Sequence, residues 1–577
     1  MKKLAKYLDG YVKESIIGPL CKLLEACFEL IVPLVMARII DVGIVNRDTT
    51  YIMKLGGVLV LLGVLGLVAS LTAQYFAARA SMGFGTALRK DLFEHINGLS
   101  YSELDAIGTS TLITRITSDA NQVQTCVNLL LRLFSRSPFI VIGALIMSFT
   151  IDVKMGCIFA IAVPLLAIVI YGIMLITMPI YKRVQGILDR VSLITRNNLV
   201  GARVIRAFSR QKDEVIEFEE TSTNLRKTQE FVGRISGLLN PFTYIIVNFA
   251  IIAIIWQGAF RVNVGKLEQG EVIALVSYMT QILIALVALA NLIVNVTKGT
   301  ASASRINDVF AVRSSMEEGK REEGKRDCEY KVEFDHVSFA YAHARMDSLS
   351  DICLKIKKGQ VIGIIGGTGD GKTTLVNLIP RFYDARQGCV KVDGTDVREY
   401  AYQALRGKIG IVPQKAVLFK GTIRDNMKWG KEDATDEEIY RALEIAQAKE
   451  FVDQKPEGLN TMIMQNGQNL SGGQRQRLTI ARALVGSPEI LILDDSASAL
   501  DFATDAKLRM AIAGMDQGIT VFIVSQRATS IKHADQIVVL EDGNMVGLGT
   551  HEELLKTCEE YKEICLSQLS KEEVEGR

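Results

Sequence analysis

Six stretches in the first 300 residues are apolar over the length that a membrane demands. They run 15–40, 53–77, 129–151, 155–180, 241–262 and 270–297. A hydrocarbon core about 30 Å thick needs about 20 apolar residues per helix, so each stretch predicts a spanning helix. The fifth is the cleanest, with no Asp, Glu, Lys or Arg between Pro241 and Phe260. Only Ile151-Asp152-Val153-Lys154 separates the third from the fourth, which predicts a tight hairpin. Long polar stretches follow the second and fourth spans, and both are helix-compatible. Between Lys182 and Gly233 there is no proline, and glycine occurs only at Gly186 and Gly201. A span continued by such sequence outruns the bilayer, since 45 residues of helix reach about 67 Å. Gly85 and Gly98 are weak points in the first projection. The N-terminal Met1-Lys2-Lys3-Leu4-Ala5-Lys6-Tyr7-Leu8 is too poor in apolar residues for a cleaved signal. It predicts a short amphipathic helix lying on the membrane surface.

The pattern then changes. Met316 to Asp327 reads MEEGKREEGKRD, a solvated linker by composition. Tyr330 to Phe339 alternates like a strand, and Val361–Ile365 and Ile490–Leu493 are short apolar runs of the kind buried in parallel sheets. The predicted fold class is a membrane α-helical bundle, six transmembrane helices with long cytoplasmic extensions, fused to an α/β domain. The expected divisions are 1–312, 313–329 and 330–577.

Charge orients the membrane part. The loop 181–240 carries Lys182, Arg183, Arg190, Arg196, Arg203, Arg206, Arg210, Lys212, Arg226, Lys227 and Arg234, whereas the opposite connectors carry only Arg47, Lys154, Arg261 and Lys266. Positive loops stay inside. The chain is therefore expected to be multi-pass in the cytoplasmic membrane, with both termini and the α/β domain in the cytoplasm. Across all 577 residues the net charge is only +2, with 23% charged and 49% hydrophobic residues. No basic field points to nucleic acid. The nine cysteines are scattered without a CxxC, the pattern of neither a disulfide framework nor a metal site, and are expected to be small buried hydrophobes. Within the first span, Lys22, Glu25 and Glu29 are unusual, because charge at membrane depth normally faces a polar cavity. Two readings stand: contact with a cationic or polar cargo, or an internal pair of Lys22 with Glu25.

The strand Val361–Ile365 runs into Gly366-Gly367-Thr368-Gly369-Asp370-Gly371-Lys372-Thr373-Thr374, followed by an apolar helical run. This is the phosphate-binding P-loop pattern. Glycines let backbone N–H groups curl around phosphate oxygens, and the helix N-terminus adds positive dipole. Lys372 is expected to reach the β- and γ-phosphates and Thr373 to bind Mg2+. Asp494, at the end of Ile490–Leu493, is the expected Mg2+-side carboxylate. Between them, Leu470-Ser471-Gly472-Gly473-Gln474 opens a helical run and offers a second phosphate-binding end. Two such surfaces in one chain suggest that the second serves a nucleotide held by another subunit.

LSGGQ between a P-loop and an aspartate-ended strand resembles the nucleotide-binding domain of ABC transporters. Six spans ahead of it resemble the half-transporters of the exporter class. The resemblance covers essentially the whole chain and implies ATP and Mg2+ as cofactors. It implies that Tyr341 stacks on adenine and that Gln414 contacts Mg2+ and senses the membrane domain. Ser498-Ala499-Leu500-Asp501 matches the D-loop, while Ser100–Ala106 and Asn198–Phe208 look like coupling helices.

The chain departs from the family pattern at two catalytic positions. Where the family has a glutamate general base, this chain has Asp495; where it has a histidine after a later strand, this chain has Gln526. The shorter carboxylate is set back by one C–C bond, about 1.5 Å, and a misplacement of about 1 Å can cost on the order of 100-fold in rate. Glutamine hydrogen-bonds but lacks imidazole's proton chemistry. Met464-Gln465-Asn466-Gly467 also departs from the Gly-Glu loop of many exporters. The resemblance therefore implies the degenerate-site subunit of a heterodimeric bacterial multidrug exporter. This chain would bind ATP but hydrolyse it poorly, and lend Ser471–Gln474 to a second half-transporter. Its expected cargo is a small amphipathic molecule reached from membrane lipid. A dedicated peptide or lipid exporter, a homodimer and a non-transporting regulatory subunit share these motifs.

Overall fold

The computed structural model describes residues 2–325, 328–342, 344–515 and 518–569. It divides into two compact units, Met1–Asn97 with Ser110–Val312, and Gly98–Thr109 with Arg313–Arg577.

The first unit is helical. Among the described residues, five helices are long and apolar enough to cross a membrane: Thr49–Asn97, Thr109–Ile151, Val153–Val200, Gln211–Asn263 and Gln269–Ala311. The helix Val12–Arg38 coincides with the first predicted span but carries Lys22, Glu25 and Glu29 along its length, and it lies outside that set. These charges find partners within the protein. Lys22 Nζ donates to Glu25 Oε2 at 2.5 Å and to Ser70 Oγ at 3.1 Å. Arg136 Nη2 donates to both Glu29 oxygens, at 2.7 and 2.9 Å, and Arg136 also lies 3.9 Å from Glu25. The two glutamates thus face protein cations, which removes the reason for reading them as a free anionic patch for a cationic cargo.

The expected hairpin is built by Asp152, whose Oδ1 accepts from the N–H groups of Lys154 and Met155 at 2.8 and 3.1 Å. Its other oxygen accepts from Arg261. The helix Thr49–Asn97 runs unbroken through Gly85 and stops before Gly98; at 49 residues it is about 70 Å long. Lys2–Tyr11 forms a short 3-10 helix whose Leu4 and Tyr7 are buried, with the Tyr7 ring edge-on to Phe84 of the helix Thr49–Asn97 at 6.1 Å.

Among its described residues the second unit holds three sheets. In chain order the strands are β1 (Val332–Phe339), β2 (Leu349–Ile356), β3 (Val361–Gly366), β4 (Gln387–Val392), β5 (Thr395–Asp396), β6 (Ile409–Val412), β7 (Gly421–Thr422), β8 (Met462–Ile463), β9 (Ile490–Asp494), β10 (Thr520–Val524), β11 (Gln536–Glu541) and β12 (Asn544–Gly549). One sheet has the order β12-β11-β3-β10-β9-β6, another β2-β1-β4-β5, and β7 pairs with β8. In the six-stranded sheet β11, β3, β10, β9 and β6 run parallel. Their apolar runs are mostly buried, with Val361, Ile411 and Ile523 half-buried, as expected of strands covered on both faces. Parallel register puts the C-terminal ends of β3, β9 and β10 on one edge, where open α/β sheets bind ligands.

The charged linker is not simply solvated. Arg321 pairs with Tyr400 as a β-bridge, and the Tyr402 N–H donates to Glu318 Oε1 at 2.9 Å. A Cβ at Gly319 would lie 2.2 Å from the Glu399 backbone, so glycine here permits close approach rather than flexibility. Arg326 and Asp327 of the predicted linker lie outside the described residues.

Candidate nucleotide site

β3 ends at Gly366, and the chain turns into the helix Lys372–Leu378. Gly371, just before that helix, has φ 89°, and a Cβ there would sit 2.5 Å from the Ser348 carbonyl oxygen. Only glycine satisfies both conditions. Lys372 is buried; its ammonium donates to the Gly366 carbonyl at 3.0 Å and to that of Gly367. Burial lowers its pKa, against the pull of Asp370, Asp495 and Asp494.

β9 delivers the carboxylates. Thr373 Oγ1 donates to Asp494 Oδ1 at 3.0 Å. Burial pushes the Asp494 carboxyl above its ordinary range; the Thr373 hydrogen bond opposes this and the Asp495 charge adds to it. Asp495 has a left-handed backbone, φ 46°. Its N–H donates to the Val524 carbonyl of β10 at 2.9 Å. Burial raises its pKa too, against a hydrogen bond from Gln414 and the charges of Arg527 and Lys372.

Eleven of the residues singled out in the sequence, Tyr341, Thr368, Gly369, Gly371, Lys372, Thr373, Thr374, Gln414, Asp494, Asp495 and Gln526, line one cavity of about 320 Å3. Gly366, Gly367 and Asp370 are not in its lining. Asp370 turns back on the loop, accepting from the Gly367 N–H and, at 3.4 Å, from that of Asp542. Ser471, Gly472, Gly473 and Gln474 also lie outside the lining. They open the helix Gly472–Leu484, where the Gln474 N–H donates to Ser471 Oγ at 3.2 Å and the Ser471 N–H to Gln474 Oε1 at 3.1 Å. Sequence reasoning missed Ser348 and Ser525, which line the same cavity. Ser525 was detectable as the polar residue closing an apolar strand before Gln526; Ser348 carries no comparable signal.

Tyr341 Oη lies 2.9 Å from Thr374 Oγ1, and its ring meets Tyr383 edge-on at 5.4 Å. Tyr383 donates to Asp105 Oδ2 at 2.7 Å. Asp105 belongs to the helix Tyr101–Ile107, capped by Ser100 and Glu103, and the Tyr101 ring lies 4.8 Å from Phe382. The first segment likened to a coupling helix is thus a short capped helix joined to the nucleotide side by aromatic rings. Gln414 also lines an adjoining cavity of about 840 Å3 with Tyr101 and Tyr383, between the carboxylates and this helix. The second segment forms the helix Ala202–Ala207, with Val204 and Phe208 exposed.

The ABC transporter transmembrane region matches residues 15–287, and the ABC transporter family proper matches 349–498. The chain is 36% identical over 574 residues to the uncharacterized ABC transporter ATP-binding protein YfiB of Bacillus subtilis (strain 168), covering 99% of each. The chain belongs to the ABC transporter family. This ABC half-transporter is also 29% identical over 559 residues to an ATP-dependent lipid A-core flippase of Yersinia pestis bv. Antiqua (strain Antiqua), covering 96% of this chain and 95% of that protein. A solved structure of a bacterial Atm1-family ABC exporter with ATP bound has the same fold, with a TM-score of 0.79 at 22% identity over 98% of this chain and 99% of that one. The ABC domain implies ATP. The oxygen donors of Thr373, Gln414 and Asp494 suit a hard cation such as Mg2+.

Proposed function

We propose that this ABC exporter subunit binds ATP and hydrolyses it slowly, and that it works as one half of a heterodimer moving small amphipathic molecules across the cytoplasmic membrane. The observation that carries the reading is Asp495, which follows β9 in the general-base position of the family pattern and lines one cavity with Lys372, Thr373, Gln414 and Asp494. Bound Mg2+, held by Thr373, Gln414 and Asp494, would neutralise phosphate charge. Lys372 would leave its loop carbonyls for the phosphates. Asp495, one methylene short, would take the proton of the attacking water poorly, and Gln526 would orient the γ-phosphate without carrying charge. The N-terminus of the helix Gly472–Leu484, capped by Ser471, supports completion of a nucleotide site on the second half-transporter. The charge bias of 181–240 supports cytoplasmic placement of the termini and the ATPase unit, and the charged, glycine-containing run that follows Val312 supports the domain divisions 1–312, 313–329 and 330–577.

The test is to replace the partner's general-base glutamate with glutamine in the assembled transporter. Turnover should collapse; retention of most of the activity contradicts the division of labour. A lipid cargo is a second reading, favoured by the flippase relatives and by the neutralised Glu25 and Glu29. Uptake assays comparing fluorescent lipids with amphipathic drugs in inverted vesicles separate the two.

A further inference from the structure

The four-stranded sheet carries three metal-ligating side chains of different chemistry at one point, away from the nucleotide cavity. His336 of β1 and Asp351 of β2 meet with His336 Nδ1 2.6 Å from Asp351 Oδ1. Cys353 Sγ lies 3.4 Å from the same nitrogen, and the ligand atoms of all three fall within 4.8 Å of one another. The pairing of β1 with β2 slips between Phe334 and Val337, and this irregularity turns His336 outward beside Asp351 and Cys353. Both His336 and Asp351 have left-handed backbones, φ 49° and 48°. Non-glycine residues in this region are uncommon, and here two of them are the pair whose side chains touch.

We propose that His336, Asp351 and Cys353 form a binding site for a borderline-soft divalent cation, Zn2+ being the best match, with water completing the shell. Thiolate, imidazole and carboxylate together suit zinc rather than magnesium or calcium. Tetrahedral zinc with bonds of about 2.3 Å to sulfur and 2.0 Å to nitrogen sets its ligand atoms about 3.6 Å apart. The observed 3.4 Å between Cys353 and His336 is close to that. The His336–Asp351 contact of 2.6 Å must open by less than 1 Å, and both side chains are more than two-thirds exposed and free to move. An ion here would pin the strand irregularity of β1, whose end leads within two residues to Tyr341. Binding expels the thiol proton and any imidazolium proton, so affinity falls with acid.

The test is titration of the purified full-length transporter with Co2+ alone, and then Zn2+. One equivalent of Co2+ should produce a near-ultraviolet thiolate-to-metal charge-transfer band, which Zn2+ then bleaches. Cys353→Ser should abolish the band, and His336→Ala should weaken Co2+ binding by roughly 10–100-fold. ATP binding should be unchanged in both variants, which reports that they fold. Absence of the band, or its persistence in Cys353→Ser, overturns the proposal. Full affinity in both His336→Ala and Asp351→Asn overturns it as well.

Discussion

Thr373 Oγ1 donates to Asp494 Oδ1 at 3.0 Å, tying the first helical turn after the phosphate loop to the end of β9. The contact joins the two side chains expected to share Mg2+.

Asp494→Asn should therefore separate stability from activity. Burial holds the Asp494 pKa above its unfolded value, so the folded chain binds this proton more tightly. Stability is then lost as pH rises from the unfolded pKa through the folded one. A neutral amide escapes that cost. At pH 7 and without nucleotide, the thermal midpoint of Asp494→Asn should rise by about 2–4 °C, for about 1 kcal/mol. Its Mg2+-dependent ATPase should fall on the order of 100-fold. A lowered midpoint at pH 7 would contradict the burial argument.

Asp495→Glu with Gln526→His should raise single-turnover hydrolysis at this chain's own site by at least about tenfold, a fraction of the roughly 100-fold or more that a well-positioned base supplies. In the unaltered chain the residual rate should have an acid limb shifted upward, because burial raises the Asp495 pKa and the base form exists only above it. A pH profile with the limb of a free aspartate contradicts this environment.

Much of this site was legible in the sequence because its signals are local. The P-loop is one strand, one turn and one helix start, Asp494 closes one apolar strand, and Gln526 follows another within two residues. The misses are long-range. Arg136 is 107 residues from Glu29, and no spacing rule joins them. The linker reads as solvated by composition, yet the sites its glycines approach, Glu399 and Asp393, lie in a distant hairpin. Leu4 and Tyr7 show their amphipathic pattern plainly, but a pattern does not say whether the apolar side meets lipid or protein.

Arg136→Met should destabilise the membrane unit by about 1–3 kcal/mol, the cost of stranding a charged partner. The figure sits below that of a fully buried pair because Glu29 is 38% exposed. Adding Glu29→Gln should recover part of the loss, as removing both charges relieves the stranded one. Detergent thermal melts of the two variants check it; equal losses in both contradict the ion pair.

Gly319→Ala should loosen the linker, since its Cβ would strike the Glu399 backbone at 2.2 Å. Overpacking of this kind costs about 1–3 kcal/mol. Limited trypsin digestion should cut within 316–325 several-fold faster than in the parent, and an unchanged cleavage rate would show that the segment is not held there.

The most direct measurement of the whole account is ATP turnover by this chain purified alone in lipid vesicles, beside its Asp495→Glu/Gln526→His variant, with bound nucleotide counted in both. The expected result is equal ATP occupancy with markedly slower turnover in the unaltered chain. Equal turnover in the two proteins would contradict the claim that this subunit holds ATP at a site poorly equipped to cleave it.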